Sequence, residues 1–270
     1  MNSFGRIFRV HIFGESHGTC VGILLDGVPA GIKLDVKELN VELKKRKAGL
    51  IGTTNRIEKD IPYIMTGLYN GRTTGAPILV TFYNKSKNSK SYEEIKYTPR
   101  PGHVDLASWM KYFGFNDHRG AGHFSGRLTV GLVCAGLIAK KIIKDVRIES
   151  KFFAGNDIKK AMQKKDSVGG IVECVISKVP AGLGEPFFDS MESVLSHALF
   201  SIPGVKGIEF GAGFEGSLML GSEYNDQIMN INGKTKTNNS GGVNGGITNG
   251  NELTLRLALR PASSIGIEQE

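Results

Sequence analysis

Apolar, β-branched and aromatic residues dominate positions 7 to 13 (IFRVHIF) and 21 to 26 (VGILLD), so the chain opens with two strands. Between them lies a glycine-bracketed turn, Gly14-Glu15-Ser16-His17-Gly18. Asp35 followed by Glu38 has the pattern of a capping box, and VKELNVELKKR continues it as an amphipathic helix ending at Gly49. The last turn of that helix is basic, as its dipole favours. Strands are expected near 61 to 68 and 77 to 83, after which a polar loop (KSKNSKSYEE) leads to the turn Arg100-Pro101-Gly102-His103.

From Ser125 to Ile143 apolar or small residues occupy almost the whole helical circumference, which predicts a core helix buried on most faces. Strands near 146 to 153 and 168 to 178, a helix near 189 to 201, and strands near 205 to 210 and 252 to 260 complete the pattern. Helices and strands mix without regular alternation, so the expected class is α+β and not a doubly wound sheet. Residues 221 to 250 are polar and glycine-rich, a long loop of the kind that is functional or mobile. No repeat or linker is visible, and residues 1 to 270 are expected to form one domain.

Composition narrows the partners. Thirty-six of 270 residues are glycine, about twice the average share of roughly 7%, which implies many tight turns or close backbone approaches to a ligand. The net charge of +8 and pI near 9.3 point to anionic partners: nucleic acid, an anionic membrane surface or a phosphorylated small molecule. The lysine-rich stretches lack interleaved aromatics, so nucleic-acid binding has weak support. No stretch approaches the ~20 apolar residues of a bilayer span, and the amino terminus lacks a signal-peptide core. Cys20, Cys134 and Cys174 are odd in number and widely spaced, against both a disulfide framework and a zinc site. A cytoplasmic setting without a metal is expected.

Four clusters carry chemistry. In Gly14 to Gly18 the glycines let the backbone turn sharply and project His17, the side chain best suited to acid–base work near neutral pH; a simply solvated turn is the plainer reading. The pattern G-x-S-x-G is satisfied, but a strand follows where a hydrolase needs a helix. Arg100 and His103 present a guanidinium and an imidazole on one rigid turn, suited to phosphate or carboxylate or to nothing more than a surface turn. At 116 to 127, Ser125 is placed to cap the core helix, and Arg127 begins it as either part of an anion site or an internal ion pair with Asp117. Gly241 to Gly250, followed by Arg260-Pro261-Ala262-Ser263-Ser264, suits a flat phosphorylated ligand or a mobile loop.

In this order the clusters closely resemble the chorismate synthase family. The motifs are F-G-E-S-H-G at 13 to 18, D-G-V-P-A-G at 26 to 31, T-T-G-A-P-I at 73 to 78, R-P-G-H-V-D at 100 to 105, R-G-A-G-H-F-S-G-R-L-T at 119 to 129, D-S-V-G-G at 166 to 170, G-L-G-E-P at 182 to 186 and G-G-I-T-N-G at 245 to 250. The resemblance implies a homotetramer with a β-α-β sandwich fold and a buried helical core. It also implies elimination of phosphate from 5-enolpyruvylshikimate 3-phosphate with reduced FMN. On that footing His17 protonates the departing phosphate and His103 the reduced flavin, while Arg46, Arg100 and Arg127 hold the substrate's anions. The flavin positions are His123, Phe124 and Ser125, then Pro203 and Gly204, Gly245, and Arg260, Pro261, Ala262, Ser263 and Ser264.

Three departures stand out. Where many members have Arg-Ser-Ser and Asn-Ala, this chain has His123-Phe124-Ser125 and Pro203-Gly204. A family arginine just after Gly49 has only Arg56 as its nearest counterpart. The G-R-H-D-like motif near the family's carboxyl end is absent, so the chain is expected to be incomplete there. A non-catalytic FMN-binding or assembly protein is the alternative.

Overall fold

The structure is a computed structural model that describes residues 2–46, 56–86, 89 and 92–269. The chain divides into two compact units, Met1–Lys144 with Ser263–Glu270, and Asp145–Ala262. No composition change marks the boundary at residue 145.

The first unit is built on a five-stranded antiparallel sheet in the order Ser3–Phe4, Arg9–Gly14, Cys20–Asp26, Ile78–Tyr83, Tyr63–Ile64. Alternation along its middle strands sends Val21, Ile23 and Leu25, and Ile78, Val80 and Phe82, into the core, all fully buried. Two helices cover that face. Val36–Lys45 contributes Leu39 and Leu43, four residues apart, and Thr129–Ile142 contributes Val130, Cys134 and Ile138 at the same spacing. Each fully buried aliphatic side chain is worth about 1.5–3 kcal/mol. Burial also pushes the Cys134 thiol up to about 12, so it behaves as a small apolar group.

The expected helix after Asp35 forms, with the Asp35 carboxylate accepting from the Lys37 N–H. Its expected end, Gly49, lies outside the described residues. The core helix starts later than its apolar pattern: Ser125 caps a 3-10 turn, Gly126–Leu128, before the α-helix begins at Thr129. The run Arg119–Ile142 has the length and apolarity to cross a membrane. Positive φ at Gly120, Ala121 and Gly122 breaks it, however, and its helical part packs on the sheet. The strand expected at 61 to 68 is split. Tyr63–Ile64 joins the sheet, whereas Leu68–Tyr69 pairs with Arg72–Thr73 in a separate hairpin, because Gly67 turns the backbone between them with φ +80°. A helix at Asp105–Lys111 is not evident in the apolar pattern.

The second unit holds a four-stranded antiparallel sheet in the order Val205–Phe210, Leu253–Leu259, Gly170–Ser177, Arg147–Ala154, with the helix Met191–Leu199 where expected. The glycine-rich stretch is more ordered than a plain loop. Asp226 accepts from the N–H groups of Asn239 and Ser240 and from the Thr237 hydroxyl. Val243–Asn244 then pairs with Ile247–Thr248 across a Gly245-Gly246 turn with positive φ at both glycines. The mixture of sheets and helices is α+β, as expected.

Candidate functional site

The turn between the first long strands is held on every side. Its glycine-rich sequence leaves the peptide groups accessible, and neighbouring segments claim them one by one. Imidazole Nδ1 of His123 donates to the Gly14 carbonyl at 2.9 Å. The Asn84 amide donates to the carbonyls of Glu15 (3.0 Å) and Gly18 (3.1 Å). The Ser16 N–H donates to Gly122 O at 2.9 Å, and Arg56 donates to both the hydroxyl and the carbonyl of Ser16. His17 is therefore no solvated turn residue: it is 5% exposed. Its Nδ1 lies 2.9 Å from the Ser89 hydroxyl, and its ring packs edge-on to Tyr92 at 5.0 Å. Gly120 closes over it in a left-handed conformation. A Cβ there would stand 2.7 Å from His17 Nε2, so only glycine allows the approach.

Beside the turn, Arg46 and Arg127 converge on one carboxylate. Arg46 Nη1 bonds Asp60 Oδ2 at 2.6 Å, Arg127 Nη1 bonds Asp60 Oδ1, and Arg127 Nε bonds the Asn84 carbonyl oxygen at 3.0 Å. The pairing considered for Arg127 with Asp117 does not form, because Asp117 is taken by Arg119 at 2.8 Å. Two guanidinium groups against one carboxylate leave one positive charge in excess in a buried setting. Arg46 Nε and Arg127 Nη2 are buried with no hydrogen-bond partner among the described residues, and burial, with Arg127 alongside, pulls the Arg46 pKa down despite Asp60. Such an arrangement can accept an anion.

Arg100 and His103 share a second carboxylate. Arg100 clasps Asp105 through Nε (2.8 Å) and Nη2 (3.0 Å), and Nη1 donates to the Ser264 hydroxyl at 2.9 Å. His103 Nδ1 lies 2.7 Å from Asp105 Oδ1 and 3.0 Å from Arg100 Nη2. Arginine has only donors, so the two contacts demand opposite roles of Nδ1. The shorter one decides: Nδ1–H donates to Asp105, which fixes the tautomer. Burial works to raise the Asp105 pKa, but hydrogen bonds from Arg100 and the charge of His103 hold it below the usual range.

The flavin candidates are distributed over both units. In the first, His123 is bound to Gly14 and to the Asn2 side chain (2.9 Å), Phe124 packs against Tyr112, and Ser125 caps the turn that carries Arg127. Ser264 meets Arg100, and Ser263 precedes it, half-buried. In the second, Pro203-Gly204 forms the turn before Val205–Phe210, and the Arg260 N–H donates to Gly204 O at 2.9 Å. Pro261 lies against Gly169, and the Ala262 carbonyl accepts from Ser167 at 2.7 Å. Gly204 and Gly245 both have positive φ, and nothing lies within 4 Å of where a side chain would begin. That open backbone fits contact with a flat ligand. Among the described residues, no three histidine, cysteine or acidic side chains stand together as a metal site.

Sequence reasoning missed Glu58, Asp60, Asn84 and Ser89. The alternating Arg56-x-Glu58-x-Asp60 just before a strand was the available signal for the two acids, since closely spaced opposite charges beside a core need partners.

The family model for chorismate synthase matches residues 8–154 and 150–270. The chain is 55% identical over 277 residues to a chorismate synthase of Chitinophaga pinensis, covering 100% of this chain and 83% of that protein. It is 45% identical over 300 residues to one from Thermococcus gammatolerans, covering 98% and 84%. A crystal structure of chorismate synthase superposes with a TM-score of 0.78 at 26% identity, covering 95% of this chain and 84% of that one.

Proposed function

The chain belongs to the chorismate synthase family, lyases of the shikimate pathway, and from that premise we propose that it eliminates phosphate from 5-enolpyruvylshikimate 3-phosphate to give chorismate. The observation that carries this reading is the pair Arg46 and Arg127 on the single carboxylate of Asp60. Its surplus positive charge, beside the buried His17, suits a substrate that bears a phosphate and carboxylates.

Arg46 and Arg127 neutralise the phosphate as its C–O bond breaks, and His17 supplies the proton that the leaving group takes. Burial of His17 keeps water from competing for that proton. Arg100 holds a further anionic group while anchored on Asp105, and His103 Nε2 carries the proton offered to the cofactor. Reduced FMN, when bound, would supply electron density to the allylic system and take up the proton released as the ring C–H bond at the far end of that system breaks. Its holders are His123, Phe124, Ser125, Pro203, Gly204, Gly245 and Arg260 to Ser264; backbone atoms serve at 203 to 204, which accommodates the departure from Asn-Ala. A homotetramer in the cytoplasm completes the reading. Its support is the exposed apolar edge strand of the second sheet, where Ile148, Phe152 and Phe153 lie open, together with three free cysteines.

The test is anaerobic incubation with the phosphorylated substrate and reduced FMN, following chorismate by absorbance. Chorismate forms, and His17→Ala and His103→Ala each lower kcat by about 10²- to 10⁴-fold while the fold persists by circular dichroism. Wild-type rates in either variant would reject its assigned role.

A further inference from the structure

We propose that Arg56 is a positioning residue for His17, fixing the imidazole of the proton donor through the residue before it. This rests on the reading of His17 given above.

The guanidinium forks around one residue. Nη1 donates to the Ser16 hydroxyl at 2.6 Å and Nη2 to the Ser16 carbonyl at 2.9 Å. Ser16 is 1% exposed, and its N–H is already bound to Gly122 O. Every polar group of the residue preceding His17 is thereby pinned, which sets where the His17 side chain leaves the backbone.

Arg56 is itself anchored on Glu58, through Nη2 at 2.8 Å and Nε at 3.3 Å. Burial alone would raise the Glu58 pKa, but Arg56 and the N–H groups of Lys85 and Ser86 keep it low, so the anchor stays ionised. The Ser89 hydroxyl lies 2.9 Å from His17 Nδ1. One arginine–glutamate pair thus fixes the root of the His17 side chain and also holds the N–H groups of Lys85 and Ser86.

The bonds named occupy at least four of the five guanidinium N–H donors. Arg127, by contrast, keeps a buried Nη2 without a partner. Arg127 is arranged to meet an anion, and Arg56 to hold protein. Lysine, a point donor without the planar fork, cannot replace it fully.

The experiment compares wild type, Arg56→Lys and Arg56→Gln by steady-state kinetics and by ¹⁵N NMR of histidine-labelled protein without ligand. In Arg56→Gln, kcat falls by roughly 10- to 100-fold with KM within about threefold, the His17 ring-nitrogen signals leave the wild-type pattern, and Arg56→Lys restores only part of each. A raised KM at unchanged kcat would make Arg56 a substrate ligand and overturn the proposal. Unchanged ring signals would overturn it whatever the rates. Should Arg56→Gln not fold, Ser16→Ala deletes the hydroxyl acceptor alone and is judged by the same ring signals. If the wild type forms no chorismate, the assigned reaction fails, and the ligand-free ring signals still decide the role of Arg56.

Discussion

Asp60 is the residue on which the charge balance of the first unit turns. It is 4% exposed, has φ +51° and faces both Arg46 and Arg127. Asparagine tolerates the left-handed backbone as aspartate does, so Asp60→Asn isolates the charge. Removing one partner of a buried ion pair leaves the other uncompensated, at a cost of about 3–5 kcal/mol. Denaturant unfolding of Asp60→Asn should show a loss of that order; a change below about 0.5 kcal/mol would mean that solvent, not Asp60, compensates the arginines. At this scale His17, Arg100, His103 and Arg127 were proposed from their types and turn settings, and Arg46 from the family resemblance alone. Their partners were not. Asp60 and Asn84 lie 67 and 43 residues from Arg127 along the chain, and a contact of that span leaves no local pattern.

The core helix Thr129–Ile142 shows how an element is specified twice, once by its own sequence and once by its neighbour. Apolar residues on nearly every face foretell its burial. Which glycines it needs depends on the sheet. A Cβ on Gly131 would stand 2.4 Å from Ile23 Cγ2, whereas one on Gly136 would meet nothing within 4 Å. Gly131→Ala should therefore force the helix off the strand Cys20–Asp26 and cost about 1–3 kcal/mol. Gly136→Ala should stabilise by up to about 1 kcal/mol, since alanine is the better helix former. Thermal unfolding of the two variants checks this, and equal shifts would refute the close helix–strand contact as the cause. Other elements diverge for similar reasons. The 61-to-68 strand breaks at Gly67, and the helix Asp105–Lys111, although Leu106, Trp109 and Met110 share one face, is too short at seven residues for its period to stand out.

For the whole molecule, the net charge of +8 is not spread evenly over function. Much of the lysine excess lies on exposed helix faces, while the arginines of the site are tied to Asp60, Glu58 and Asp105. Exposed apolar side chains carry the larger-scale information. The edge strand Arg147–Ala154 is exposed along its whole length, with Phe152 at 52%, an aggregation hazard unless something covers it. The proposed homotetramer gives it a cover. Light scattering should return four times the 29.2 kDa chain mass, and Phe152→Lys should shift the distribution toward smaller species. A monomer at micromolar concentration would overturn the assembly.

By itself the sequence determined the α+β class, most of the long strands and the two helices of the first unit, and it named candidates for the site. These follow from local periodicity, turn chemistry and side-chain acidity, all properties of short stretches. Only the tertiary structure decided that Arg127 answers to Asp60 and not Asp117, that His103 Nδ1 is committed to Asp105, and that Arg56 grips the turn that carries His17. Each is a pairing between segments distant in the chain or a choice among nearby partners. Such choices depend on which groups burial brings within about 3 Å, where the cost of an unsatisfied charge or donor selects the arrangement.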